Sequence, residues 1–277
     1  MVGHDIPDTA MGRCRVTSLR GTFDEDAERY DRARPAYPPA LVRALAERTG
    51  LGPDSRVLEV GPGTGQLTVP LAEWGCRITA VELGPSLAAV ARRRLRAFPR
   101  AHVEVADFER WPLPDEPFDV MAAATAFHWL TPGTGLDRAA RALRPGGTLA
   151  LVTTHHVAGG SGDFFREVQE CYERWDPATP PGLRLVGEDR TATDTAELAE
   201  LAELGPVESL RFPREITYTA RDYIDVLLTY SGHRALEPAA RRGLLDDIRE
   251  LIDTRHGGSV TKRYLHELLL VRNDGTR

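Results

Sequence analysis

The chain has one lysine, Lys262, among 277 residues, so its basic charge is almost wholly arginine. With a formal net charge of -6, no broad basic field is available to hold a phosphate backbone, and nucleic acid is not an expected partner. The preference for arginine over lysine, with heavy use of alanine, reads as a GC-rich coding bias and suggests a bacterial source. Cysteine is scarce too. Cys14, Cys76 and Cys171 are odd in number and lack CxxC spacing, which argues against a disulfide framework and a zinc site and fits a reducing cytoplasm. No window approaches the ~18 uninterrupted apolar residues of a membrane span, and MVGHDIPDTAMGRCR lacks the apolar run of a signal peptide. Neither membrane nor export is expected. Internal repeats and long low-complexity stretches are also missing, which excludes solenoids and arrays.

What is present is an alternation of short β-branched runs with amphipathic segments. Residues 1–22 mix Gly, Pro, Asp and Thr without periodicity and read as a flexible N-terminal arm, leaving 23–277 as one domain. Two short helices are predicted before the first strand, one up to Pro35 and one beginning after Pro38-Pro39 and stopping at Gly50. Then RVLEV, CRITAVEL, HVEVAD, FDVMAAAT and GTLALVTT read as strands. QLTVPLAEWG, PSLAAVARRRLRAF and GLDRAARAL read as helices between them. This order implies an α/β fold, a doubly wound, mostly parallel sheet covered on both faces. Beyond Thr154 the rhythm changes: helices are expected from Asp163 to Trp175, over TATDTAELAELAELG, and over residues 220–257. ESLRFPREITYT and the closing SVTKRYLHELLLVRN read as strands, so the late segment looks like a helical cap built around two more strands.

Ligands of such sheets bind beyond the carboxyl ends of the strands, where the strand order reverses. Gly61, Gly63 and Gly65 lie on the turn after the first strand, where glycine permits positive φ and close backbone approach. The next residue is Gln66, so the spacing is GxGxG and the GxGxxG pattern of dinucleotide sites is not met. Glu82 ends the second strand 21 positions after Gly61, where a carboxylate accepts hydrogen bonds from a ribose diol. Asp107 ends the third strand, placed to accept an exocyclic adenine amine, with Leu83 and Phe108 able to sandwich the ring. The set describes an adenosine site.

From Phe23 to Val152 the chain resembles the class I S-adenosylmethionine-dependent methyltransferases, and within them the small-molecule branch of methyltransferase type 11 and trans-aconitate methyltransferase-like enzymes. YDRARPAYP, VLEVGPGTGQLT, AVELGP, ADFERWPLP, FDVMAAATAFHWL and LRPGGTLALV carry the likeness, in the expected order. The resemblance implies a seven-stranded Rossmann-like sheet with an antiparallel C-terminal strand, a cofactor core over about 50–155, and cap insertions over about 160–205 and 220–257. It implies S-adenosylmethionine as cofactor, S-adenosylhomocysteine as product, and a small-molecule acceptor in a monomer or homodimer. Residues Gly61, Pro62, Gly63 and Gly65 would surround the amino-acid portion of the cofactor. Glu82 would bind ribose, Asp107 and Phe108 adenine, and Gln66, Leu83 and Thr125 would complete the site. Tyr30 and Arg34 would reach the cofactor carboxylate, although a helix-end salt bridge accounts for Arg34 equally well. Glu59 either supports the loop or touches the cofactor.

A sulfonium methyl is already electrophilic, so the acceptor needs alignment, dehydration, and a base only if it carries a proton. His128, just beyond the fourth strand, is the candidate base or orienting residue, against a role in merely shaping the pocket. His155 and His156 follow the fifth strand. They lack a third ligand at recognisable spacing, so no metal is expected and substrate contact by His155 is the remaining reading. Tyr223, Tyr230 and His233 fall on one face of a predicted cap helix, and Trp129 and Trp175 either line a pocket or fill a core. Two other activities stay open: a cofactor-retaining binder or non-methylating cyclase, and an NAD(P)-dependent reductase. The GxGxG spacing and the lack of a Tyr-xxx-Lys pair weigh against the second. The lack of an Asn/Asp-Pro-Pro-Tyr-like tetrad and of a basic stripe weighs against nucleic-acid or protein methylation.

Overall fold

Apolar β-branched runs bury best when both faces of a strand are covered, and RVLEV does so: the first strand, β1 (Arg56–Val60), is buried from Val57 to Val60. In the computed structural model, which describes residues 20–193, 195, 198 and 204–275, β1 sits at the centre of a seven-stranded sheet. Its neighbours are β2 (Arg77–Glu82) and β4 (Phe118–Ala124), both parallel to it, with β3 (Ala101–Val105) beyond β2. β5 (Leu143–His156) pairs parallel with β4. β7 (Ser259–Arg272) inserts antiparallel between β5 and β6 (Glu208–Thr219), completing the order β3-β2-β1-β4-β5-β7-β6. The order reverses between β1 and β4, so the glycine turn after β1 lies at the switch point.

Helices α1 (Ala27–Ala33) and α2 (Pro39–Thr49) precede the sheet; the first, expected from Phe23, starts only at Ala27, after a 3₁₀ turn. Asp26 caps α1 by accepting the Arg29 N–H, and Gly50 ends α2 in the left-handed region at φ 64°. Between strands run α3 (Thr68–Ala72), α4 (Pro85–Arg94) and α5 (Thr134–Ala142). Residues 20–26 form a 3₁₀ turn that docks on α4: Asp24 Oδ1 accepts the N–H groups of Ser86 (2.7 Å) and Leu87 (2.9 Å) at its amino end. Residues 1–19 of the expected arm lie outside the described residues.

The cap consists of α6 (Gly162–Trp175), α7 (Ala220–Leu227), α8 (Ser231–Arg234) and α9 (Pro238–Arg255). Its core joins Phe164, Phe165 and Tyr172 of α6, Tyr223 of α7 and Leu244 of α9 to Tyr218, Val260 and Tyr264 of the last two strands. The cap and the β6–β7 end of the sheet therefore share one apolar cluster. Most of the helix expected over TATDTAELAELAELG lies outside the described residues. The continuous cap helix expected through Tyr223, Tyr230 and His233 is broken: α7 stops at Leu227, Tyr230 is extended, and α8 starts afresh. Edge strand β6 alternates half-buried with exposed residues and accommodates Pro213, as an edge permits. β7, between two strands, is buried without interruption from Tyr264 to Val271. Among the described residues no helix is long and apolar enough to cross a membrane.

Candidate active site

The turn after β1 has to bend where a side chain would collide. Gly61 (φ 65°) donates its N–H to Val81 O (2.9 Å), and a Cβ there would lie 2.6 Å from the Cβ of Ala126. A left-handed non-glycine residue costs roughly 1–2 kcal/mol before that clash is counted. Gly63 (φ 59°) lies under the Tyr30 ring. The loop is held from the second strand: Glu82 Oε2 accepts the Gly63 N–H (2.9 Å) and Oε1 accepts the Gly84 N–H (2.8 Å). Burial pushes the Glu82 carboxyl above the usual carboxylate range, against the opposing pull of those amides.

Between this loop and the cap lies a solvent-connected cavity. Its loop end is formed by Tyr30, Arg34, Glu59, Gly61, Pro62 and Gln66, and its inner end by Tyr37, Thr125, Thr154, Tyr230, Tyr264 and His266. The Arg34 guanidinium lies between Tyr30 and Tyr230, 5.1 and 4.4 Å from their ring centroids, and donates to Thr229 O (3.2 Å). Its Nε is closed off from solvent without a hydrogen-bond partner. Glu59 is 1% exposed, its Oε2 is likewise unpartnered, and burial pushes its carboxyl up to about 8. A cation with a free donor and an acid with a free acceptor, at one end of one cavity, match the carboxylate and ammonium of an amino-acid zwitterion. The glycine cradle and the Glu82 carboxylate beside it suit the rest of S-adenosylmethionine.

Because Glu59 holds its proton in the fold up to about pH 8 but loses it near 4.5 when unfolded, stability falls as pH rises across that window. Glu59→Gln is expected to remove this slope and to raise stability at pH 8 by roughly 1–3 kcal/mol. Thermal melts between pH 5 and 8 measure it, and an unchanged slope would mean that Glu59 is not the titrating group.

At the inner end, Thr125 has φ 53°, the one positive φ outside glycine among the described residues. A β-branched residue there is strained, and such strain concentrates at functional sites. Its N–H bonds Val152 O (2.7 Å) and its hydroxyl lies 3.3 Å from that of Tyr37. His266 is 2% exposed, and burial pushes its imidazole down to about 4. Thr154 Oγ1 stands 3.0 Å from its Nδ1, and its Nε2 has no partner.

Several sequence expectations change here. His128 sits on the 3₁₀ turn Phe127–Trp129, exposed beside the Trp129 ring, and neither residue lines the cavity. Trp129 instead packs edge-on against Phe23 at 5.4 Å. His155 points to the opposite face of the sheet, 3.3 Å from Glu267 Oε2, because alternate residues of β5 face opposite ways. Of the expected cap stripe, Tyr230 alone lines the cavity: Tyr223 is packed among Phe164, Phe165 and Tyr218, and His233 Nε2 is tied to the Tyr172 hydroxyl at 2.9 Å. Phe108 is buried in the core with Arg138 5.1 Å over its ring, so that ring offers no stacking face to adenine. Leu83 is 41% exposed and half-buried Asp107 accepts the Glu109 N–H at 3.1 Å, so both lie at the open side of the loop. Trp175 serves the cap, donating to Asp247 at 2.8 Å.

Tyr37, Thr154, Tyr264 and His266 were missed by sequence reasoning. For the last two a signal existed: Lys262, Tyr264 and His266 stand at period two, polar positions on one face of a strand that is apolar from Leu268 to Val271.

The methyltransferase domain family matches residues 58–151. The chain is 35% identical over 139 residues to uncharacterized methyltransferase Rv3342 of Mycobacterium tuberculosis, covering 50% of this chain and 54% of that protein. It is 33% identical over 180 residues to a malonyl-[acyl-carrier protein] O-methyltransferase of Geobacter sulfurreducens, covering 62% of each. The chain thus spans about half the length of the first of these relatives. Among solved structures, YcgJ of Bacillus subtilis aligns with TM-score 0.54 at 16% identity, over 86% of this chain and 99% of that one. YjhP of E. coli aligns with TM-score 0.51 at 15% identity, over 92% and 98%, and at such identities the likeness is one of fold. Residues 58–151 thus match a methyltransferase domain, and the sheet order built around the glycine loop is a fold shared with these solved structures.

Proposed function

We propose that the protein transfers a methyl group from S-adenosylmethionine to O, N, S or C of a small-molecule acceptor in the bacterial cytoplasm, in the manner of secondary-metabolite tailoring. The observation that carries this is the single cavity running from the glycine loop to a hydrogen-bonding imidazole under the cap. When bound, the cofactor supplies an electrophilic methyl on a sulfonium sulfur. Arg34 takes its carboxylate, Glu59 its ammonium, and Glu82 and Asp107 its ribose and adenine. Tyr230 of the cap and Tyr264 of β7 wall the inner end with apolar rings, against which the acceptor is aligned.

His266 replaces His128 as the residue that meets the acceptor. In the tautomer that carries its proton on Nδ1 and donates it to Thr154, His266 keeps a lone pair on Nε2, the nitrogen without a partner in this cavity-lining residue. For an O–H or N–H acceptor, Nε2 holds that hydrogen and takes the proton as the bond to carbon forms, then releases it to solvent. Its depressed basicity keeps it neutral, so turnover is expected to hold constant down to about pH 5 and to fall as pH drops through about 4.

Incubation with methyl-labelled S-adenosylmethionine and a metabolite extract tests the reading. Label is expected in a small molecule, with turnover reduced about 100-fold or more in His266→Ala. A protein that binds the cofactor yet leaves every extract unlabelled is a binder, and the methyl-transfer reading then falls.

A further inference from the structure

Next to the two tyrosines that line the cavity lies a second group of unpaired nitrogens. Lys262, Tyr264 and His266 share one face of β7 at period two, and the last two line the cavity. Lys262 is 2% exposed and its ammonium has no hydrogen-bond partner. It stands 4.4 Å from the ring centroid of Phe165 and 5.7 Å from that of Tyr264. Burial alone pushes it down to about 7, with no carboxylate pulling it back. Across the strand pair from Tyr264 is His156, whose ring lies 5.3 Å from Tyr230 and 5.6 Å from Tyr264 and whose Nδ1 is also buried without a partner. Burial first, and then neighbouring cations including Lys262 and Arg34, hold this imidazole well below its ordinary range.

The acids of these strands face elsewhere. Glu267 is taken by Ser209 and Arg211 on the opposite sheet face, and Glu215 by Arg263. Lys262 and His156 stand just outside the cavity lining, next to the Tyr264 ring that is part of it, and among the described residues no carboxylate bonds either nitrogen; a buried ammonium is expensive unless paired.

We propose that Lys262, with His156, forms the anion subsite of the acceptor pocket, taking a carboxylate of the acceptor while His266 meets its nucleophile. This rests on the methyl-transfer reading for the word acceptor. His266 is four residue steps along the strand from Lys262, on the order of 13 Å along the backbone. An acceptor spanning from one to the other is a monocarboxylate with an aryl or acyl body lying against Tyr264 and Tyr230, the hydroxyl or amine at its far end.

Because Lys262 is the sole lysine, protein labelled with lysine carrying ¹³C at Cε alone gives one such resonance. The probe is 3-(4-hydroxyphenyl)propionate, compared with its primary amide, each titrated into the full chain with S-adenosylhomocysteine present. The acid is expected to move the Lys262 signal saturably and to raise its titration midpoint by one unit or more, whereas the amide leaves it unmoved. Lys262→Met, which keeps the length and apolar stem of the side chain, should weaken acid binding tenfold or more and leave amide binding unchanged. Acid binding that leaves the Lys262 signal in place, equal affinity for acid and amide, undiminished affinity in Lys262→Met, or no acid binding up to millimolar concentration each overturns the subsite. No methyl transfer is read, so the two ideas fail separately: acid held by Lys262 without labelled product removes the reaction, and labelled product with an indifferent Lys262 removes the subsite.

Discussion

Glu82→Ala is expected to weaken S-adenosylhomocysteine binding by at least 100-fold and to destabilise the protein by roughly 2–5 kcal/mol. Two separate losses produce this. Within the protein, the Gly63 and Gly84 N–H groups lose the carboxylate oxygens they now reach at 2.9 and 2.8 Å. Hydrogen bonds to charged groups contribute roughly 1.5–3 kcal/mol each, and a buried donor left unpaired costs a comparable amount. With the cofactor, the two oxygens retain lone pairs for the vicinal diol, and a 100-fold loss corresponds to about 2.7 kcal/mol. Glu82→Gln keeps one acceptor but turns an amide NH₂ toward a backbone N–H, so it should fall between wild type and alanine. Calorimetry with S-adenosylhomocysteine alongside thermal melts separates the two losses. Affinity within threefold of wild type in Glu82→Ala would remove Glu82 from the cofactor site.

Lys262→Met is expected to stabilise the ligand-free protein at pH 6 by roughly 1–4 kcal/mol, as replacement of buried charge by apolar side chains often does. The sign follows from proton binding. An unfolded lysine stays charged to about pH 10.5, whereas the folded one gives up its proton near 7. Below pH 7 both states are charged and the fold carries the full cost of the buried ammonium. Between about 7 and 10.5 the unfolded state binds the extra proton, so wild-type stability from this group rises with pH. The advantage of methionine should therefore shrink from pH 6 toward pH 10. A variant less stable than wild type at pH 6, measured by denaturant unfolding, would show that Lys262 is better satisfied than its surroundings indicate. Together with weakened carboxylate binding, a stability gain here would be the mark of a residue retained for its ligand at the expense of the fold.

The loop end of the cavity was legible because it depends on local chemistry. A turn that must adopt positive φ needs glycine, and Gly61 and Gly63 stand where the strand ends. The acid expected at the end of the second strand, Glu82, stands against the loop and accepts the Gly63 and Gly84 N–H groups. These requirements fall on residues near one another in sequence, so spacing reveals them. Tyr30 and Arg34 were legible through their motif alone, since nothing in their own spacing says that α1 folds back over the loop.

The acceptor half was not legible in the same way. His128 is adjacent to the fourth strand, yet its 3₁₀ turn carries it outward. His155 and His156 are neighbours, and the pleat sends them to opposite faces. Tyr223, Tyr230 and His233 match one helical stripe only if the helix continues, and it stops at Leu227. Those outcomes turn on one residue of phase or one broken turn.

The sequence by itself determined the order of strands and helices, the glycine cradle, the acids at the strand ends and the rejection of a dinucleotide loop, because propensity, φ requirement and short spacing act within a few residues. Only the tertiary structure decided which polar groups share the cavity. His266 and Lys262 come from the last strand, and they reach the loop after β1 because β7 inserts between β5 and β6. That pairing is set by hydrogen bonds between segments more than a hundred residues apart, Thr148 with Arg272 through His156 with Tyr264, and by the burial that leaves their nitrogens without partners.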